Sequence, residues 1–284
     1  MMVKDRAKTV GVALDDYIVR LAQKSDTPAL DAQGLLAHVM KKPRSWIMAH
    51  PEERLSASRA AALETLVANL ENGDPLPYVL GRWEFFGLEF DVTPDVLIPR
   101  PETELLVERA IAWLKAHPED RYAVDIGTGS GCIGIAMAAN IPDLKVTASD
   151  ISAAALEMAQ HNAAKNGVRK RMEFVCCDLF PPQAEYNLIV ANLPYIPTKK
   201  LKKLPIYGHE PTMALNGGAD GMDLIRRLLN AAPDRLVPGG FLLMEIEASE
   251  GSAALSLAFD AFEKADIHLH KDLSGRDRIL EVQV

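Results

Sequence analysis

Apolar residues recur at helical spacing three times near the start of the chain. Leu14, Ile18, Val19 and Leu21 mark a helix over 13–23, Ala32, Leu35, Leu36 and Val39 a second over 29–41, and Leu63, Leu66, Val67 and Leu70 a third over 57–70. Pro28, Pro43 and Pro51 punctuate the connections. Helices this short are marginal alone and must pack on one another, so a small all-helical N-terminal domain is expected over 1–76. The composition changes after Asn72-Gly73-Asp74-Pro75. From Trp83 to Leu97 aromatics mix with Val and Thr, and Gly87 and Asp91 fall at turn or bulge positions. That pattern predicts a β-hairpin linker over 77–98. Pro101, Glu102 and Glu104 then suit a helix N-terminus, and the helix runs to about Lys115.

From Tyr122 the period changes. YAVDIG, KVTASDI, MEFVCCDLF, YNLIVANLPYI and FLLMEIE read as apolar strands, and RILEVQV as a last one. Helical stretches separate them: CIGIAMAANI, then 153–166, 221–232 and 251–264. Strands alternating with helices imply a mostly parallel sheet covered on both faces. The fold class is therefore α/β, a doubly wound Rossmann-like sheet over 99–284 behind the helical domain. The closing strands leave room for an antiparallel edge.

The totals narrow the chemistry only a little. The formal net charge of -8 weighs against a broad nucleic-acid surface, which clusters Lys and Arg. Cys132, Cys176 and Cys177 form no C-x-x-C pair, so neither a disulfide framework nor a zinc site is expected, and no metal is assigned. Asp15 and Asp16 interrupt the only early apolar run, and no stretch approaches a membrane span. A soluble cytoplasmic monomer is expected.

The sharpest local feature is Asp125-Ile126-Gly127-Thr128-Gly129-Ser130-Gly131, set between an apolar strand and a helix. Such glycines allow a tight turn and close approach of a ligand to the backbone. The Lys-Ser/Thr pair of a phosphate loop is missing, and the spacing is not that of a dinucleotide fingerprint. An acid beside the loop repels pyrophosphate but suits a cationic, donor-rich ligand. S-adenosylmethionine, with its sulfonium, α-amino group and lack of phosphate, matches. Asp150 ends the next strand, where an acid can accept both ribose hydroxyls. Asp178 follows the third strand and can meet an adenine amino group, with Leu179 over the ring. A helix cap or turn acid is the plain alternative for Asp150, where the ligand role is preferred because the second strand should lie beside the first. For Asp178 taken alone a solvated turn acid is nearly as good a reading.

The fourth strand ends in Asn192-Leu193-Pro194-Tyr195. A polar residue leaving the sheet there stands where doubly wound folds bind ligands. The Asn192 amide oxygen and the Leu193 carbonyl can accept the two hydrogens of an NH2 group. Pro194 holds Leu193 extended, and Tyr195 can stack on a planar group. Asn192 also borders the expected cofactor site. A turn asparagine and a packed aromatic are the plain alternatives.

This box resembles the Asn-Pro-Pro-Tyr motif of methyltransferases acting on amide or exocyclic amino nitrogens. The whole chain is similar to the peptide chain release factor glutamine N5-methyltransferases, the PrmC/HemK family. The likeness runs through Pro77-Tyr78-x-x-Gly81, Phe85-x-Gly87 and the strong marker Ile98-Pro99-Arg100-Pro101-Glu102-Thr103-Glu104. It continues through the glycine loop, Glu210-Pro211, Ala214-Leu215 and Gly217-Gly218-x-Asp220-Gly221. The resemblance implies that Gly127 to Gly131 bind the methionyl part of S-adenosylmethionine, Asp150 the ribose and Leu179 the adenine. It implies that Asn192, Leu193, Pro194 and Tyr195 receive the glutamine of the Gly-Gly-Gln loop of class-1 release factors. It also makes the helical domain a candidate release-factor-binding unit. Leu193 stands where the family box has its first proline. Glu247 and Glu250 stand where a Glu-x-Gly-x-x-Gln pattern has glycine and glutamine.

A primary amide is a weak nucleophile facing an activated electrophile, so alignment matters more than a strong base. Asn192, Leu193 and Tyr195 are the expected catalytic residues. His161, His209, His268 and His270 show no spacing that pairs a base with a nucleophile. Two rivals stand beside this reading. One is an adenine-N6 methyltransferase acting on DNA or RNA, for which Lys199, Lys200, Lys202 and Lys203 offer a local positive run. The other is a catalytically inactive cofactor-binding interaction protein. Neither is preferred, and no direct nucleic-acid substrate and no membrane partner are expected.

Overall fold

The computed structural model of the chain describes residues 8–182 and 185–284. Residues 1–7 of the stretch read as a helical domain lie outside them. The chain divides into two compact units, Met1–Gly81 and Arg82–Val284.

The first unit is all helical: α1 (Val10–Leu21), α2 (Pro28–Met40), α3 (Arg44–Ala49), α4 (Ala57–Glu71) and α5 (Leu76–Leu80). Thr9 and Ser56 cap α1 and α4 by accepting from backbone N–H groups. The apolar faces of the three longer helices meet around Tyr17, Leu21, Leu35, Leu36, Leu63 and Val67, all fully buried. Polar staples join α1 to α4. Tyr17 donates to Glu64 at 2.8 Å, and Arg20 donates to both oxygens of Glu71 at 2.9 and 2.8 Å. Two helices escape the sequence pattern because they are too short to show a period, α3 and α5. The second occupies the start of the stretch read as a hairpin linker. Pro77 sits in its first turn, where a missing N–H costs nothing, and Gly81 ends it in the left-handed region.

The hairpin opens the second unit, as β1 (Arg82–Phe85) and β2 (Leu88–Asp91). Phe86 and Gly87 both have positive φ, 53° and 70°, which matches the twist of a two-residue turn. The Phe86 N–H donates to Glu104 at 2.8 Å, which explains how a bulky residue is held there. Asp91 is the end of a strand rather than a bulge, and a buried amide grips it. Asn162 accepts from the Asp91 N–H at 2.8 Å and donates to the Asp91 and Ser130 carbonyls, both at 3.0 Å.

The rest is the doubly wound α/β fold: α6 (Glu104–Ala116), β3 (Tyr122–Ile126), α7 (Cys132–Asn140), β4 (Lys145–Asp150), α8 (Ala153–Lys165), β5 (Met172–Cys176), β6 (Tyr186–Ala191), α9 (Thr198–Leu201), α10 (Asp223–Ala231), β7 (Leu236–Glu245), α11 (Gly251–Ala261), β8 (Asp266–Lys271) and β9 (Asp277–Gln283). The sheet order is β5-β4-β3-β6-β7-β9-β8. The first five of these strands run parallel, and β9 is antiparallel to both its neighbours. The antiparallel edge thus exists. The strand β8, DIHLHK, was not foreseen, because Ile267 and Leu269 alone carry its apolar alternation.

Alternate residues feed opposite faces. Ala123, Leu188, Val190 and Leu243 pack with α6 and α7, whereas Val124, Ile126, Ile189 and Leu242 pack with α10 and α11. The chain leaves β3 toward β4 and β5, then returns to β6 on the other side. That reversal opens a crevice at the carboxyl ends of β3 and β6, where ligands bind in such sheets.

Candidate active site

A cavity of about 420 Å³ opens at those strand ends. Each strand contributes through the residues just past it. Gly127 and Gly129 follow β3, Asp150 ends β4, Asp178 and Leu179 follow β5, and Asn192, Leu193 and Pro194 follow β6. The structure therefore gathers eight of the sequence-selected residues around one space.

The glycine loop has left-handed φ at Gly127, Gly129 and Gly131. Gly131 is the N-cap of α7, and a Cβ there would stand 2.8 Å from the Ile135 side chain and 3.1 Å from Ala159. Thr128, Ser130 and Gly131 do not line the cavity. Thr128 and Ser130 are buried, and Thr128 points down to Asp125, donating at 2.7 Å. Asp125 is fully buried beneath the loop and also accepts from the Gly134 N–H at 3.0 Å. It anchors the turn and does not reach the ligand space, contrary to the role its proximity suggested. Burial pushes its carboxyl up to about 6, against the pull of these hydrogen bonds.

Asp150 uses both oxygens to shape the rim. One accepts from the Gly129 N–H and the other from the Ser152 N–H, each at 2.9 Å. Leu179 holds φ at 62°, and its carbonyl is fixed by the Ser149 hydroxyl at 2.7 Å. Asp178 is half exposed and pairs with Arg227 of α10 at 2.6 Å.

The box is held by groups buried behind it. The Asn192 amide donates to the Thr103 hydroxyl and to Glu245, both at 3.1 Å. Thr103 in turn donates to the same Glu245 oxygen at 2.6 Å, and the Tyr195 hydroxyl donates to the other at 3.3 Å. Among the described residues Asn192 Oδ1 accepts nothing, and Asn192 lines the cavity. Tyr195 does not line it. Burial pushes the Tyr195 hydroxyl and the Glu245 carboxyl upward. The Leu193 side chain is buried against the glycine loop, so close that a Cβ on Gly127 would stand 3.0 Å from it. A leucine is accommodated at this place because it fills that space.

Several contributors were not singled out in the sequence. Ile151, Ser152, Met213, Asn216 and Arg227 line the cavity because loops far apart in the chain converge on it. The family marker around Arg100 does have a visible role. Buried Glu210 accepts from the Ile98 N–H at 3.2 Å and from Arg100 at 2.6 Å, tying the segment before α6 to the loop that follows the box. Glu247 accepts from the Ser249 N–H at 2.8 Å and faces Lys200 at 3.7 Å. Glu250 is buried, and that burial pushes its carboxyl up to about 7. Among the described residues no cluster of His, Cys, Asp and Glu is built to hold a metal ion.

Comparison with known proteins agrees with this geometry. Residues 13–81 match the PrmC N-terminal domain and 102–204 the Methyltransferase small domain. The chain is 40% identical over 254 residues to the release factor glutamine methyltransferase of Bordetella pertussis, covering 89% of this chain and 93% of that one. It is 39% identical over 275 residues to the enzyme of the same name from Moorella thermoacetica, covering 95% and 96%. Among solved structures, the N-terminal domain of human METTL16 in complex with SAH aligns with a TM-score of 0.51 at 16% identity, over 87% of this chain and 93% of that one. A methyltransferase from Pyrococcus furiosus aligns at 0.50 and 18% identity, over 80% and 98%. These two share the fold. With that fold, a box of these donors and acceptors, and such identity over nearly the full length of both chains, this protein belongs to the release factor glutamine methyltransferase family.

Proposed function

We propose that the protein transfers the methyl group of S-adenosylmethionine to the side-chain amide nitrogen, N5, of the glutamine in the Gly-Gly-Gln motif of class-1 peptide chain release factors. The observation that carries this reading is the Asn192 amide. Its hydrogens are spent on Thr103 and Glu245, so its oxygen is the atom left for the cavity.

The cavity suits the cofactor by its donor set. Two glycines give close access to backbone, Asp150 and Asp178 supply carboxylates, and Arg227, the single basic residue that lines it among the described residues, is paired with Asp178. A phosphate-bearing ligand would find little to neutralise it. Gly127 and Gly129 would hold the amino-acid end, with Thr128, Ser130 and Gly131 shaping the loop beneath. Asp150 would hold the ribose, and Asp178 and Leu179 would border the adenine. Bound there, S-adenosylmethionine supplies an electrophilic methyl on a sulfonium.

The chain's own residues do the aligning. Asn192 Oδ1 and the Leu193 carbonyl accept the two N–H bonds of the glutamine amide and aim its nitrogen. Their dipoles stabilise the positive charge that grows on that nitrogen as the N–C bond forms and the S–C bond breaks, and the nitrogen then gives up one proton to water. Pro194 keeps the Leu193 carbonyl extended, and Tyr195 braces the box from behind. The acceptor pair fits any NH2 group, and it is the family membership that favours a glutamine amide over an adenine amino group. Among the described residues no helix is long and apolar enough to cross a membrane, and a release-factor substrate supports a cytoplasmic location. The helical unit, matched to the PrmC N-terminal domain, is assigned to holding the release factor.

The test separates the two halves of the site. Asn192→Ala should lower methyl transfer to a release factor by on the order of a hundredfold or more. Calorimetric affinity for S-adenosylhomocysteine should change little. Equal losses in both would reject a substrate-directed Asn192.

A further inference from the structure

We propose that Glu245 and Thr103 are positioning residues that dictate which atom of the Asn192 amide faces the acceptor, and thereby select an NH2 group as the acceptor. The inference rests on the reading of this cavity as an amide methyl-transfer site.

The argument is one of donors and acceptors. Glu245 accepts from three directions: Thr103 at 2.6 Å, Asn192 at 3.1 Å and Tyr195 at 3.3 Å. The single Thr103 hydroxyl hydrogen goes to Glu245, so toward Asn192 its oxygen can only accept, at 3.1 Å. Both neighbours of the Asn192 nitrogen are therefore acceptors. Were the amide reversed, Oδ1 would face a carboxylate oxygen and a hydroxyl lone pair, and the NH2 would point into the cavity. The triangle permits one orientation, with Oδ1 outward. An outward oxygen welcomes an N–H donor and repels a carboxylate, so glutamine is accepted and glutamate is not.

Thr103 and Glu245 are 2% and 1% exposed, and neither lines the cavity. They act through Asn192 rather than on the acceptor. They stand on opposite sides of the box in sequence. Thr103 lies in the turn before α6 and Glu245 is the last residue of β7. The marker run Ile98 to Glu104 thus contributes a group to the acceptor site from beneath it.

The experiment compares Glu245→Leu, Glu245→Gln, Thr103→Val and Thr103→Ser with wild type in the full chain. Three readouts are taken: steady-state methylation of intact release factor, calorimetric binding of S-adenosylhomocysteine, and hydrogen exchange of the Asn192 side-chain amide in protein labelled with 15N-asparagine. Glu245→Leu should lower kcat/KM on the order of 10-fold to 100-fold, with cofactor-analogue affinity within about threefold. Glu245→Gln keeps an acceptor oxygen for Asn192 and Thr103 and can donate to Tyr195, so it should recover most activity. Thr103→Val should lose part of it and Thr103→Ser restore it, which covers the case in which the leucine variant fails to fold. Amide exchange should quicken in Glu245→Leu and Thr103→Val and stay slow in the two conservative variants. Leu and Gln variants that fall equally, or amide exchange unchanged in Glu245→Leu and Thr103→Val, would overturn the proposal. Wild type that leaves the release factor unmethylated while its Asn192 amide is protected would instead overturn the substrate reading, and the exchange data would still decide the positioning claim.

Discussion

Asn192→Asp turns the buried contact behind the box into a pair of carboxylates. The wild-type amide donates to Glu245 at 3.1 Å. An aspartate there sets an acceptor against an acceptor, beside a carboxyl that burial already pushes upward. With both groups ionised 3.1 Å apart, the repulsion is about 5 kcal/mol at an effective dielectric of 20. The pair avoids this by keeping one proton, which costs about 1.4 kcal/mol for each pH unit above an unfolded carboxylate pKa near 4. The folded pair's pKa is thus raised. Stability is retained at low pH and lost as pH rises through the folded value. Between pH 5 and pH 8, three pH units, the variant should lose roughly 4 kcal/mol more than wild type, or roughly 8–16 °C in melting temperature for a unit of this size. Thermal melting by circular dichroism at several pH values reads it directly. A deficit equal at pH 5 and pH 8 would refute the donation from Asn192 to an ionised Glu245.

Two further outcomes follow from the same geometry. Asp125, raised by burial to about 6 from 3.8, binds its proton more tightly in the folded state. Its contribution is full below the unfolded value and is lost as pH rises between the two, so the urea midpoint of Asp125→Asn should lack that part of the wild-type slope; identical slopes would exclude this group as its source. Ser149→Ala removes the 2.7 Å bond to the Leu179 carbonyl. It should cost about 1 kcal/mol and weaken S-adenosylhomocysteine binding severalfold in calorimetry, and unchanged affinity would exclude Leu179 from the cofactor wall.

Much of the fold was legible because it is written in period and punctuation. The apolar strands and the glycines that end them placed the cofactor crevice, and Asn192 stood out as a polar residue leaving an apolar strand. What lay hidden depends on distance along the chain. Glu245 reads in sequence as the acid at the end of a strand. Its meaning comes from Thr103, which is 142 residues away, and Asn192, which is 53 away. Asp125 shows the converse. Its nearness to the glycine loop suggested a ligand contact, but a strand alternates its faces, and this side chain turns under the loop toward Thr128 and Gly134. The edge strand β8 carries the ordinary alternation of a half-exposed strand, Ile267 and Leu269 between polar residues, but with only two apolar positions that signal is weak.

The central claim is the transfer of one methyl group to one amide. Incubating the protein with isotopically labelled S-adenosylmethionine and an intact class-1 release factor, then mapping the label by peptide mass spectrometry, tests it most directly. The account predicts a single label on the side chain of the Gly-Gly-Gln glutamine, and none when that residue is glutamate. An unlabelled glutamine under conditions where the cofactor binds, or label on another residue, would contradict it.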